Sequence, residues 1–180
     1  GDENANRHVV ESTSRASFNG LEVTSDHVAF VIDKSADMNR AGGDGERKDD
    51  KARKELADTL SHLHGGDFVF NVHTYGAAFN TFEDQPVVLD KKSEKKALAF
   101  IDGVRCGGSK AIWEVLERVV SDPDIDTVYL LSSGEPEVGL YVHYNRVCDH
   151  LAELNRFHRA VIHTVAYTDS KWYQDQLQKI

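Results

Sequence analysis

Apolar residues along this chain fall into short unbroken runs separated by stretches of helical period. The first run, residues 28–32 (Val-Ala-Phe-Val-Ile), closes at Asp33, which predicts a strand buried on both faces of a parallel sheet. Residues 39–50 place Gly42, Gly43 and Gly45 among charges and predict a loop. Ala52, Leu56, Leu60 and Leu63 then recur at helical spacing and run into Gly65-Gly66, a C-terminal stop. Residues 68–75 are rich in aromatic and β-branched side chains and predict a second strand, and residues 78–82, after Gly76, fold back as an antiparallel edge strand.

Residues 93–104 and 109–121 predict two more helices, the second carrying Ile112, Val115, Leu116, Val119 and Val120 on one face, with a tight turn over 105–108 between them. Residues 126–131 predict a third buried strand, which the loop Ser132-Ser133-Gly134-Glu135-Pro136 leaves at its carboxyl end. Tyr144, Val147, Leu151 and Leu154 mark a helix, residues 160–166 a fourth strand and residues 172–180 a last helix. Strands alternating with helices imply right-handed crossovers. The expected fold is a Rossmann-like, doubly wound three-layer α/β/α sandwich, its central sheet mostly parallel with one antiparallel edge strand. Residues 1–25 hold no sustained period and are expected to be an N-terminal tail or linker with a short strand near 21–23, leaving 26–180 as the domain.

Composition narrows the partners. At 180 residues, 40% hydrophobic and 28% charged, the chain has material for one core. No run approaches the roughly 18 apolar residues that cross a bilayer, so direct membrane insertion is not expected. Thirty acidic against 21 basic residues give a formal charge of -9, which repels a phosphate backbone and excludes nucleic acid as an expected partner. Cys106 and Cys148 are too isolated for a paired-cysteine zinc site; a single disulfide and two buried free thiols are both compatible with them. The polar start suggests one module of a longer protein, exported or membrane-anchored, although the sequence does not specify a compartment.

Open doubly wound sheets bind ligands outside the carboxyl ends of their strands. There Asp33, Ser35 and Asp37 stand at every second position, so an extended segment turns all three side chains the same way. Such hard oxygen donors suit Mg2+, Mn2+ or Ca2+ rather than zinc.

In this pattern the chain resembles the von Willebrand factor A family, whose metal-ion-dependent adhesion site reads Asp-x-Ser-x-Ser, then a distant Thr, then a distant Asp. Val-Ile-Asp-Lys-Ser-Ala-Asp-Met (31–38) is similar to the first motif, Gly107-Gly108-Ser109 to the Gly-Gly-Thr turn, and Leu-Leu-Ser-Ser-Gly-Glu-Pro (130–136) to the Leu-Leu-Ser-Asp-Gly-Glu-Pro loop. The resemblance covers the chain from about residue 26 onward. It implies a protein-binding module, not an enzyme, in which a partner carboxylate completes the coordination of a bound cation. Residue by residue, Asp33 and Ser35 match and Ser109 keeps a hydroxyl, while Asp37 replaces a Ser and Ser133 replaces the distant Asp. The site so implied takes a divalent cation on Asp33, Ser35, Asp37, Ser109 and Ser133, with Glu135, Asn39 and Lys34 on the partner-binding rim. The alternative is a metal-independent interaction domain with a decayed site, in which the Lys34 ammonium neutralises the two aspartates.

Other motifs fail on spacing. Residues 37–48 begin like an EF-hand loop but end in Lys48 where a Glu is needed, and Gly107-Gly108-Ser109-Lys110 lacks the order and the preceding glycine of a phosphate-binding loop. Metal-assisted hydrolysis is the enzymatic alternative, yet neither Ser35 nor Ser133 has a histidine beside it in sequence.

Overall fold

A computed structural model of the chain describes residues 16–64 and 66–180. Residues 1–15 of the expected tail and Gly65 of the expected helix stop lie outside the described residues. The elements run β1 (Ser17–Phe18), β2 (Leu21–Glu22), β3 (His27–Asp33), a 3-10 turn (Ala36–Asn39), α1 (Lys48–His62), β4 (Val69–Tyr75), β5 (Phe79–Thr81), β6 (Val87–Val88), α2 (Lys91–Gly103), α3 (Ile112–Val120), β7 (Thr127–Ser132), α4 (Tyr144–Leu154), β8 (Val161–Ala166) and α5 (Lys171–Leu177).

The main sheet has the order β5-β4-β3-β7-β8, with β6 also paired to β4. β4, β3, β7 and β8 run parallel to one another, and β5 and β6 are antiparallel to β4. Alternation along each central strand divides its side chains between two cores. Val28, Phe30 and Ile32 of β3 join Tyr129 and Leu131 of β7 in a core with Leu56 and Leu60 of α1 and Ala97 and Ile101 of α2. Ala29 and Val31 join Val128 and Leu130 in a second core, under Ile112, Val115, Leu116 and Val119 of α3, Val147 and Leu151 of α4 and Leu177 of α5. Helices cover both faces, which is why the β3 and β7 runs are unbroken rather than alternating. This is the expected doubly wound sandwich, with a second short antiparallel strand, β6, paired to the start of β4 while β5 pairs to its end.

The amino-terminal segment departs from expectation. The strand near residue 21 is present, but β1 and β2 form a hairpin, with Ser17 opposite Glu22, that packs onto the domain. Phe18 is fully buried, its ring 5.1 Å from Phe30 and 5.9 Å from Tyr129 in edge-on contacts. The Thr59 hydroxyl on α1 donates to the Ser17 carbonyl at 2.7 Å, and the Tyr129 hydroxyl donates to the Glu22 carbonyl at 2.7 Å. Phe18 and Val23 thus join the core beside β3 and β7, and the hairpin lies against the domain expected over 26–180. With so few apolar side chains the segment shows no period, and its anchors, Phe18 and Val23, carry no signal in isolation.

Two helix starts differ from the spacing-based expectation. α2 begins at Lys91 because Asp90 accepts from the Lys92 and Ser93 backbone while the Ser93 hydroxyl accepts from the Asp90 backbone N–H, a reciprocal cap. α3 begins only at Ile112, because the Ala111 backbone is non-helical (φ −104°, ψ 81°) where its N–H donates to the Gly76 carbonyl at 2.7 Å. Cys106 and Cys148 are free and half-buried, and burial is the main cause that pushes the Cys106 thiol up to about 12. Among the described residues no helix is long and apolar enough to cross a membrane.

Candidate functional site

β3 lies between β4 and β7, and the connections leaving the neighbouring strands β3 and β7 diverge to opposite faces of the sheet, α1 to one and α4 to the other. This switch point is where open α/β sheets accommodate ligands. Backbone hydrogen bonds tie its loops together: Lys34 N–H to the Tyr75 carbonyl (2.7 Å), Gly107 N–H to the Lys34 carbonyl (2.8 Å) and Ala36 N–H to the Gly108 carbonyl (3.0 Å). Gly108 has φ +68°, a left-handed conformation in which a side chain would be strained, and Gly76 approaches the Gly107 carbonyl so closely that an added Cβ would sit 3.1 Å from it.

Asp33, the last residue of β3, is fully buried and hydrogen-bonds to the protein through both carboxylate oxygens. Its Oδ1 accepts the Ser35 N–H at 2.7 Å; its Oδ2 accepts the Ser133 N–H at 2.8 Å and the Ser133 hydroxyl at 2.6 Å. The Ser35 hydroxyl stands 3.4 Å from the Ser133 hydroxyl. Asp33, Ser35 and Ser133 are thus brought together as expected from the sequence. Ser133 is one residue past β7, next to β3, so the carboxylate clasps the two central strands at their ends. Tyr144 supports the far side of this loop, its hydroxyl donating to the Gly134 carbonyl at 2.6 Å.

The remaining expected residues are arranged differently. Asp37 lies in the 3-10 turn, where its Oδ2 receives the Lys110 ammonium at 2.6 Å and its Oδ1 faces Arg40 at 3.2 Å. The Lys110 hydrogen bond, ahead of the opposing effect of burial, holds the Asp37 carboxyl below its ordinary value. Ser109 is half-buried in the neighbouring turn, and among the described residues its hydroxyl takes no part in the Asp33 network. Asn39 is exposed and its side-chain amide donates to the Cys106 carbonyl at 3.1 Å; Glu135 is partly exposed on the loop after β7.

Lys34 is not on the rim and does not neutralise Asp33 and Asp37. Successive residues at a strand end point to opposite sides, so Lys34 turns away from its neighbour Asp33. Its ammonium pairs with Asp49 of α1 at 2.6 Å, and the side chain is only 4% exposed. The cation at the corner is Lys110, which the sequence reading passed over. Its side chain is 3% exposed and its ammonium sits 2.6 Å from Asp37 and 3.4 Å from Glu137. Burial acts to lower its pKa, but the Asp37 hydrogen bond and the charges of Asp33, Asp37 and Glu137 outweigh that and raise it. A signal for it was available: a lysine between the Gly107-Gly108-Ser109 turn and the apolar Ala111-Ile112-Trp113 start of a helix is carried into the fold with its charge.

A hard divalent cation needs about six oxygen ligands with free lone pairs. Here the Asp33 oxygens accept three protein hydrogen bonds, the Ser133 hydroxyl proton is directed at Asp33, and Asp37 is held by two cationic side chains. Among the described residues no group of three or more His, Cys, Asp or Glu is placed to hold a metal. As arranged, these residues do not fit a divalent cation.

No protein-family model matches the chain, and no curated protein matches it in sequence. Solved structures do: a von Willebrand factor type A protein from Catenulispora acidiphila superposes with a TM-score of 0.61 over 88% of this chain, at 16% identity. The fold is that of a von Willebrand factor A domain. Proximal thread matrix protein 1 from the mussel byssus, in a structure with a zinc-occupied adhesion-site motif, is similar over 85% of the chain at TM-score 0.56 and 15% identity. The manganese-loaded Plasmodium vivax TRAP protein is similar over 87% at TM-score 0.59 and 10% identity. The chain spans 38%, 40% and 63% of these three proteins, respectively. Two of these neighbours are thus described with a bound metal, zinc in one and manganese in the other.

Proposed function

We propose that this domain binds another protein through the loops at the carboxyl edge of its sheet, and that it does so without a divalent cation. The observation that carries this reading is the clasp at the switch point. Asp33, Ser35 and Ser133 form a closed, buried network, and Asp37 is already neutralised by Lys110. A rigid, self-satisfied floor of this kind presents its rim, Asn39 and Glu135, without needing metal to hold the loops. The von Willebrand factor A fold supports the choice of a protein partner, because domains of this family commonly mediate protein association. The network contains serine hydroxyls and a carboxylate but, among the described residues, no histidine hydrogen-bonded to Ser35 or Ser133, so it offers no nucleophile and base pair. A partner carboxylate bridged by metal, the usual family mode, is replaced in this reading by direct contacts to the rim.

The test is affinity capture by the intact domain in the presence of EDTA. Wild type is compared with an Asn39→Arg/Glu135→Arg variant at the rim and a Lys95→Glu variant on α2, away from it. Partner recovery that falls with the rim variant, is kept by the α2 variant and is the same in EDTA and in Mg2+ supports the reading. Recovery lost in EDTA, or lost equally with the α2 variant, overturns it.

A further inference from the structure

A cavity of about 450 Å³ opens at the carboxyl edge of the sheet, away from the Asp33 network, between the loop that leads into α1 and the loop that leaves β8. The protein satisfies its own floor. The Tyr167 ring is buried, its hydroxyl donates to the Asn19 side-chain oxygen at 2.6 Å, and the Asn19 backbone N–H donates to Glu55 at 3.2 Å. Lys51 lies 5.9 Å from the Tyr167 ring and is paired with Asp44 at 2.7 Å, so these two charges offset each other. The walls are not balanced in the same way. Glu46 and Asp169 line the cavity from the two loops, and among the described residues neither carboxylate makes a hydrogen bond or a salt bridge. The loops meet closely there, since a Cβ added at Gly43 would lie 3.7 Å from the Asp169 carboxylate. Lys48, the second cation of the lining, also acts on Asp37, whose charge it favours. Four carboxylates thus face two ammonium groups around one opening.

We infer that this cavity binds an organic cation, a guanidinium or ammonium group on an extended stem, held between Glu46 and Asp169. Charge is the first reason: the lining has an excess of carboxylates, and the chain's formal charge of -9 draws cations towards it. The second is the spacing of those carboxylates. Among the described residues no three acidic, His or Cys side chains converge on one point, so the cavity does not suit a metal ion. Separated carboxylates suit instead a cation with several N–H groups that point in different directions, as a guanidinium or a polyamine has. The third is room. A volume of about 450 Å³ lies within the range usual for small-ligand sites, and the floor is already fixed by the Tyr167, Asn19 and Glu55 bonds, so little ordering is needed on binding. Such a group has two sources, an arginine or lysine side chain of a protein partner and a free polyamine. The site is separate from the rim residues Asn39 and Glu135 and does not depend on them.

The test is an amide-resolved NMR titration at low salt and needs no partner. Three probes are compared: N-acetyl-argininamide, whose only charge is the guanidinium, spermidine as a free polyamine, and N-acetyl-citrullinamide, which keeps the stem of the first without its charge. At least one of the two cations should shift the amides of Gly43, Glu46 and Asp169 saturably below about 10 mM, while the neutral probe should not. Tighter binding of argininamide identifies a partner's basic side chain as the source, and tighter binding of spermidine identifies a free polyamine. Glu46→Gln/Asp169→Asn changes two exposed residues, so the fold is kept, and it should weaken binding at least about fivefold. Gly43→Arg is the second variant: Gly43 is exposed and needs no left-handed backbone, and a guanidinium placed there beside Asp169 should exclude both cations. The inference is overturned if neither cation gives saturable shifts at these amides or if citrullinamide gives the same ones. It is also overturned if the double variant or Gly43→Arg binds as tightly as wild type.

Discussion

Removing the Asp33 carboxylate should destabilise the domain strongly even in the complete absence of metal. Asp33→Ala leaves the Ser35 N–H, the Ser133 N–H and the Ser133 hydroxyl without their acceptor at a fully buried position, and takes one negative charge from beside Lys110. Hydrogen bonds to a charged group contribute about 1.5–3 kcal/mol each, and three bonds to one group do not add independently. Breaking such a buried charged network costs about 3–5 kcal/mol. In a domain of this size that lowers the melting temperature by about 10 °C. Asp33→Asn is the graded control: its amide oxygen can serve the two Ser133 donors, but its NH2 then meets the Ser35 N–H, so it should lose about half as much. The assay is equilibrium urea unfolding in EDTA, with the slope checked for two-state behaviour. The reasoning is refuted if Asp33→Ala lies within about 1 kcal/mol of wild type in EDTA, because the carboxylate would then be idle without a metal.

Other outcomes follow from the same structure. Phe18→Ala empties a fully buried aromatic position between Phe30 and Tyr129 and should cost about 3–5 kcal/mol in urea unfolding; a loss below about 1 kcal/mol would mean the hairpin is not part of the core. Tyr144→Phe removes the 2.6 Å bond to the Gly134 carbonyl and should cost about 1 kcal/mol while raising amide exchange in the loop after β7; unchanged exchange there would count against its supporting role. His73 is buried and, mainly through burial, its pKa is lowered to about 3 from 6.5, so the native state resists its protonation. The unfolded chain binds that proton first, hence its stabilisation is complete above pH 6.5 and is lost as the pH falls towards 3, at about 1.4 kcal/mol per pH unit. His73→Gln should flatten the stability profile between pH 6.5 and 5 relative to wild type, and parallel profiles would show that His73 does not set it.

Most of the sandwich was legible because burial on both faces writes itself as unbroken apolar runs, as in Val28-Ala29-Phe30-Val31-Ile32, and burial on one face as helical spacing, as in Ala52, Leu56 and Leu60. Short elements were not. β6 is two valines, and the β1–β2 hairpin is held by Phe18 and by hydrogen bonds to Thr59 and Tyr129 far along the chain, contacts without local periodicity. At the site, Asp33, Ser35 and Ser133 could be placed together because a motif order and a sheet topology both pointed there. Lys34 and Lys110 could not be ranked from composition, since either lysine balances the same charge. Strand alternation sends Lys34 to Asp49, while the turn at Gly107-Gly108 brings Lys110 inward to Asp37. That alternation is a usable signal, and applied at Asp33 it separates Lys34 from the corner.

The most direct test of a self-held corner is amide hydrogen exchange at Ser35 and Ser133, followed residue by residue in EDTA and again with Mg2+. Both N–H groups donate to buried Asp33 oxygens, at 2.7 and 2.8 Å, so both should be strongly protected in EDTA and no better protected with the cation. Exchange at loop-like rates in EDTA, with protection appearing only when Mg2+ is added, would contradict the account and restore a metal to the corner.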